Sequence, residues 1–118
     1  MAVRIKRVDE PPEPHDGARV LIDDRWPPQV SPEAVPLDRW ARAAAPSESL
    51  SEWYRSHPDR FEEFAERYRR ELRGDGAAPV LADLRRLART RTLTLVTAST
   101  DPDRSPAGVL ARLLRSKR

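Results

Sequence analysis

Two short apolar runs constrain this chain most. Residues 19–23 read Arg-Val-Leu-Ile-Asp, and residues 93–98 read Leu-Thr-Leu-Val-Thr-Ala. Each has strand length and is rich in aliphatic and β-branched residues. A continuous apolar run suits a strand buried on both faces, as in a parallel sheet. Between the two runs the apolar spacing becomes helical, and a further helical pattern follows the second. Helices before and after a strand are the grammar of α/β proteins. The chain is therefore predicted to be α/β, with a small, mostly parallel sheet of three to four strands flanked by about five helices. The two runs should be central neighbours. Val3, Ile5 and the more distant Val8 alternate with Arg4, Lys6 and Arg7, which predicts another strand beside them.

Residues 10–17 hold three prolines and a glycine and read as a loop. Pro27-Pro28 forbids further strand pairing. Ser31-Pro32-Glu33 reads as a cap and a short helical turn, which Pro36 interrupts. Leu37, Trp40, Ala41 and Ala44 follow helical spacing up to Pro46. Ser47 caps the next helix, through Leu50, Trp53 and Tyr54 to His57-Pro58. Residues 59–73 give the clearest helix, with Phe61, Phe64, Ala65, Tyr68 and Leu72 on one stripe. Gly74-Asp75-Gly76 ends it. Helices over 78–90 and 105–115 complete the pattern.

The chain is short enough for one domain, 1–118, with 115–118 as a frayed tail. It has no cysteine, which excludes a disulfide framework, a thiolate nucleophile and cysteine-based zinc sites. No stretch approaches the roughly 20 apolar residues of a membrane span, and no secretory signal is readable, so a cytoplasmic location is expected. The 22 cations face 19 acids. Only Lys6 and Lys117 are lysine, and arginine makes bidentate contacts with phosphate and carboxylate. A GC-rich genome writes the same bias, and the charge balance alone supports no nucleic-acid surface.

Several segments resemble a known family. Val20-Leu21-Ile22-Asp23 with Trp26-Pro27 resembles a "VLVDRLWPRG" segment, and Trp40 with Ala45-Pro46-Ser47 resembles "W-K-x-x-APS". Leu50, Trp53-Tyr54, Pro58, Phe61-Glu62-Glu63-Phe64, Arg67-Tyr68 and Glu71-Leu72 resemble "LRxWFxHDPxxWxxFxxRYxxEL". Leu95-Val96-Thr97-Ala98, Asp101 and Val109-Leu110-Ala111 resemble "LLYAAKDxxxNxAxVLAxxL". These motifs are similar to the YeaO-like family of uncharacterised bacterial proteins (domain of unknown function 488), of which this chain reads as a divergent member. Its departures lie at polar positions. Asp24, Pro28, Thr100 and Ser105 replace the family's Arg, Arg, Lys and Asn, and Ser56-His57 stands for its His-Asp. Enzymatic activity is therefore not expected, and an ancestral anion site would be weakened or re-tuned.

In open parallel sheets, ligands bind beyond the C-terminal strand ends. Those ends supply Asp23, Arg25 and Trp26 after one run, and Ser99, Thr100 and Asp101 after the other. Together they form the candidate ligand site. Asp23 and Asp101 are the candidate acid/base groups, and Ser99 and Thr100 suit a phosphate or ribose. The plainer alternatives are a turn-capping Asp23 or an Asp23–Arg25 pair, and Asp101-Pro102 as a turn starter. A helix opening at Ser105 either offers amides to an anion or is simply capped. Ser47 lacks a histidine base, and His15 and His57 lack metal-ligand spacing, so no triad, no metal and no cofactor are expected. Trp40 and Trp53 read as core, and Trp26 as pocket wall. Gly17, Gly74, Gly76 and Gly108 form no phosphate loop. Arg112, Arg115, Lys117 and Arg118 form a short basic end.

The leading expectation is a domain that binds a small anionic or nucleotide-like ligand. The alternatives are a hydrolase or transferase working through Asp23 or Asp101, and a nucleic-acid-associated regulator using surface arginines.

Overall fold

A computed structural model describes residues 2–26, 28, 31 and 37–115. Strands β1 (Val3–Arg7), β2 (Ala18–Leu21), β3 (Arg39–Trp40) and β4 (Leu93–Thr97) form one sheet in the order β1-β4-β2-β3. Every pairing is parallel. Helices α1 (Glu48–Ser56), α2 (Phe61–Leu72), α3 (Ala78–Thr90) and α4 (Pro106–Arg115) accompany it. The expected central pair is present: Ala18 lies opposite Leu93 and Leu21 opposite Val96, with β1 on the far side of β4.

Alternation along the strands gives the sheet two different faces. Val3, Val20, Leu93 and Leu95 share one apolar cluster with the helices, centred on Phe64, Tyr68, Leu84 and Leu110. The stripe predicted for α2 is buried at all five positions. Ser47 caps α1, its hydroxyl accepting from the Leu50 amide at 3.2 Å, and Glu71 grips Ser47 through both its amide and its hydroxyl. No helix among the described residues is long and apolar enough to cross a membrane.

The other face carries Lys6, Arg19 and Thr94, all buried. β1 connects to β2 across β4, and the connection holds only a 3-10 turn, Pro14–Asp16, with no α-helix. The proline-rich loop makes the crossing and is fixed by charge rather than by apolar packing. Lys6 Nζ lies 3.1 Å from Glu13 and 3.1 Å from Asp16, and Arg19 reaches Asp16 at 2.6 Å. Thr94 donates to the Asp16 carbonyl at 2.7 Å. Gly17 closes the loop at φ +65°, where a Cβ would meet the Thr92 carbonyl oxygen at 2.2 Å.

One element corrects the sequence reading. Spacing predicts a helix over residues 37–46, but the chain there forms β3 and then a single 3-10 turn, Arg42–Ala44. Among the described residues there are accordingly four α-helices, against the expected five or so. The exposed edge of β2 takes the segment: Asp38 and Ala41 amides donate to the carbonyls of Arg19 and Leu21, both at 2.8 Å. The Tyr68 hydroxyl then captures the Ala44 carbonyl, which an α-helix would need for its own ladder. The short turn expected at Ser31-Pro32-Glu33 falls largely outside the described residues, as do residues 116–118. Arg115 is held, donating to the Val3 carbonyl at 2.6 Å.

Burial alone would raise the Asp16 carboxyl. Hydrogen bonds from the Glu13 amide, Lys6 and Arg19 outweigh it and hold the group at about 2. The folded state thus binds this proton less readily than the unfolded chain. The resulting stabilisation is complete above the ordinary value of 3.8 and is lost as pH falls toward 2. Asp16→Asn should lower the unfolding free energy by about 3 kcal/mol at neutral pH, because it removes the buried negative charge that Lys6 and Arg19 share. Urea melts of the variant between pH 7 and pH 2 should also show a shallower acid-side decline than wild type.

Candidate functional site at the strand ends

The C-terminal ends of β2 and β4 are fastened by one side chain. Asp23 accepts from the Thr97 hydroxyl at 2.9 Å with one carboxylate oxygen, and from the Ala98 amide at 2.8 Å with the other. The sheet ladder has ended there, so the carboxylate continues it. Burial raises the Asp23 carboxyl, with Asp24 adding repulsion, against the lowering effect of those two hydrogen bonds. The Asp23 carbonyl in turn accepts from the Trp40 indole at 2.8 Å. Trp40 meets the edge of Trp26 with ring centroids 5.6 Å apart. Neither of the simple alternatives for Asp23 describes it: Arg25 pairs with Glu48 at 2.9 Å instead.

Beyond β4 the chain is tightly wound. The Ser99 amide donates to Thr97 Oγ1, and the Asp101 amide donates to Ser99 Oγ at 3.2 Å. Asp101 opens a 3-10 turn, Pro102–Arg104. Ser105 is buried and its hydroxyl donates to the Pro102 carbonyl at 2.6 Å. Helix α4 approaches this turn closely because residue 108 is glycine: a Cβ there would lie 2.4 Å from the Asp103 carbonyl oxygen. From the opposite side, the Tyr54 hydroxyl of α1 donates to the Arg104 carbonyl at 2.7 Å.

These ends border a cavity of about 650 Å³, within the range of small-molecule sites. Asp23, Asp24, Arg25 and Trp26 line it from β2, and Thr97, Ala98, Ser99 and Asp101 from β4. Helix α1 adds Ser51, Tyr54 and Arg55. Phe64, Pro58 and Pro106 complete apolar walls, and Arg104 stands at the turn. Five of the six expected residues therefore share one cavity. Thr100 is exposed and lies outside the lining. A second cavity of about 470 Å³ adjoins it through Asp24 and Arg25, with Arg42, Ala43 and Glu48.

The α1 contribution went unread in the sequence, although a signal was present. Ser51, Tyr54 and Arg55 stand at i, i+3 and i+4 and share a helix face. Arg55 and Arg104 make no side-chain hydrogen bond or ion pair among the described residues. Arg25 is tied to Glu48. Trp53 is half-buried, stacked on His57 at 5.0 Å with the Arg67 guanidinium over its ring. It lies outside the cavity lining. Away from the cavity, Glu13, His15 and Asp16 bring their ligand atoms within 4.8 Å of one another. The Lys6 ammonium already serves Glu13 and Asp16 as their cation.

Asp23→Ala should lower the unfolding free energy by about 1–2 kcal/mol, since the Ala98 amide loses its acceptor at the end of the sheet. The carboxyls of buried Asp16 and half-buried Asp23 should also titrate on opposite sides of 3.8. Asp23 keeps its proton longer in the folded state, so its contribution favours the fold at low pH and fades as pH rises through its raised value; Asp16 does the reverse. Carboxyl-carbon NMR titration measures both, and an Asp23 that titrates below Asp16 would refute the assignment.

The chain matches the family described as "Inactive DUF488-N3 subclade" over residues 2–118. It is 45% identical over 115 residues to an uncharacterised protein of Mycobacterium tuberculosis, covering 98% of this chain and 95% of the relative. It is 32% identical over 117 residues to the uncharacterised protein YeaO of Escherichia coli, covering 98% of this chain and 99% of YeaO. No solved structure matches it.

Proposed function

We propose, from the premise that this chain belongs to the YeaO-like family and within it to the inactive DUF488-N3 subclade, that it is a non-catalytic domain binding a small, ring-bearing anion of nucleotide size. The binding site is the cavity at the C-terminal ends of β2 and β4. One observation carries the reading. Two guanidiniums without a hydrogen bond or ion pair among the described residues, Arg55 and Arg104, stand at a cavity whose apolar walls are supplied by Trp26, Tyr54, Phe64 and prolines. Guanidiniums only donate, and their planar forks suit phosphate or carboxylate oxygens. Trp26 and Tyr54 suit the flat body of a ring.

The chemistry of the carboxylates argues against a hydrolase or transferase. Both oxygens of Asp23 already accept from Thr97 and Ala98. Proton exchange at that group would loosen the join between the strands. No histidine lines the cavity, so no imidazole stands there to share a proton with Asp101. The word "inactive" in the subclade's description agrees with this. Asp23 is then a brace, Arg25 and Trp26 belong to the rim and wall, and Ser99 shapes the turn that holds Asp101.

Thermal-shift screening of nucleoside monophosphates and sugar phosphates should find stabilisation by ring-bearing members of the panel. Arg55→Ala combined with Arg104→Ala should weaken binding about tenfold by calorimetry, the scale of one charge-assisted contact. The melting temperature of the unliganded protein should stay unchanged, because neither guanidinium makes a hydrogen bond or ion pair among the described residues. A panel with no shift at millimolar concentration refutes the reading.

A further inference from the structure

We infer that the occupant of the cavity carries a hydrogen-bond-donating amino group on its ring, and that Asp101 recognises it; this rests on the ligand-binding reading above. The polar groups at the cavity fall into two sets. Engaged within the protein are the hydroxyls of Tyr54, Thr97 and Ser105, the carboxylate of Asp23 and the guanidinium of Arg25. Among the described residues, the hydroxyl of Ser51, the carboxylate of Asp101 and the guanidiniums of Arg55 and Arg104 have no partner. Asp24 lies between the two cavities, beside the Arg25–Glu48 pair.

Ser51 is the informative member. It is only 8% exposed and lines the cavity. No enclosed side-chain polar atom among the described residues lacks a partner, so the Ser51 hydroxyl opens onto the cavity it lines and is free there to donate to or accept from an occupant. Asp101 is the ordered member. Its amide is held by Ser99 Oγ at 3.2 Å, and its carbonyl accepts from the Ser99 hydroxyl at 3.3 Å and from the Arg104 amide at 3.0 Å. The carboxylate therefore stands on a fixed backbone with its acceptor capacity unengaged.

These groups specify a molecule. An ionised carboxylate only accepts, so the edge facing Asp101 must donate. The two arginines only donate, so the group they meet must be anionic. Trp26, Tyr54, Phe64 and the prolines favour a flat apolar body beside these polar groups. A nucleoside monophosphate with an exocyclic amino group meets all three demands.

Two matched pairs of probes test this by isothermal titration calorimetry. They are adenosine against purine riboside 5′-monophosphate, and guanosine against inosine 5′-monophosphate. Each pair differs by one amino group. The amino member of at least one pair should bind about tenfold more tightly, and Asp101→Ala should reduce that ratio to about one. Residue 101 is exposed on a turn, and its carboxylate holds no other group, so the variant should melt like wild type. Equal affinities within both pairs would overturn this inference and leave the binding reading standing. A preference that survives Asp101→Ala would overturn the role of Asp101. Failure of all four probes to bind would overturn both readings.

Discussion

The parallel pairing of β2 with β4 sets the terms for everything else. A chain that leaves the C-terminal end of one strand must travel back along the sheet before it can enter its neighbour from the N-terminal end. Between β2 and β4 the return is made by β3, a 3-10 turn and three helices, whose apolar faces join one cluster against the sheet. Between β1 and β2 the same return must be made over β4 by a short loop with no apolar stripe. The two faces of the sheet are consequently held by different forces. One is packed by aromatic and aliphatic side chains. The other is closed by Lys6, Arg19 and Thr94 gripping Asp16 and its neighbours.

That difference decides what was legible in the sequence. The helix-facing side follows the apolar periodicities, so β2, β4 and the helices α1 to α4 were readable, as was the neighbourhood of the two central strands. The loop-facing side was not. Lys6 looks like the wet half of an alternating strand, and Asp16 like a residue in a proline-rich turn. Their burial depends on a contact between positions that carry no shared pattern. Residues 37–46 failed for a related reason. Leu37, Trp40, Ala41 and Ala44 do fall at helical spacing, but an open strand edge beside them outbids a short, proline-bounded helix. A periodicity argument does not see the unpaired amides and carbonyls of β2.

The site was half legible for the same physical reason. The rule that ligands gather beyond parallel strand ends follows from topology alone, and it brought Asp23, Arg25, Trp26, Ser99 and Asp101 to one cavity. What it could not supply was the third wall. Ser51, Tyr54 and Arg55 reach the cavity because Tyr54 of α1 bonds the Arg104 carbonyl. That contact joins residues 50 positions apart. Nor could it say which polar groups the fold would use for itself.

Asp23 shows how a carboxylate placed where ligands gather can serve the scaffold itself. In sequence it is the most conspicuous carboxylate of the chain, placed where an acid or base would act. In the fold its two oxygens carry the link between β2 and β4 one step past the last ladder bond. A group with that duty is kept whether or not anything is catalysed. Asp24 and Pro28, neighbouring positions at which this chain departs from the family pattern, make no comparable link between the two strands among the described residues.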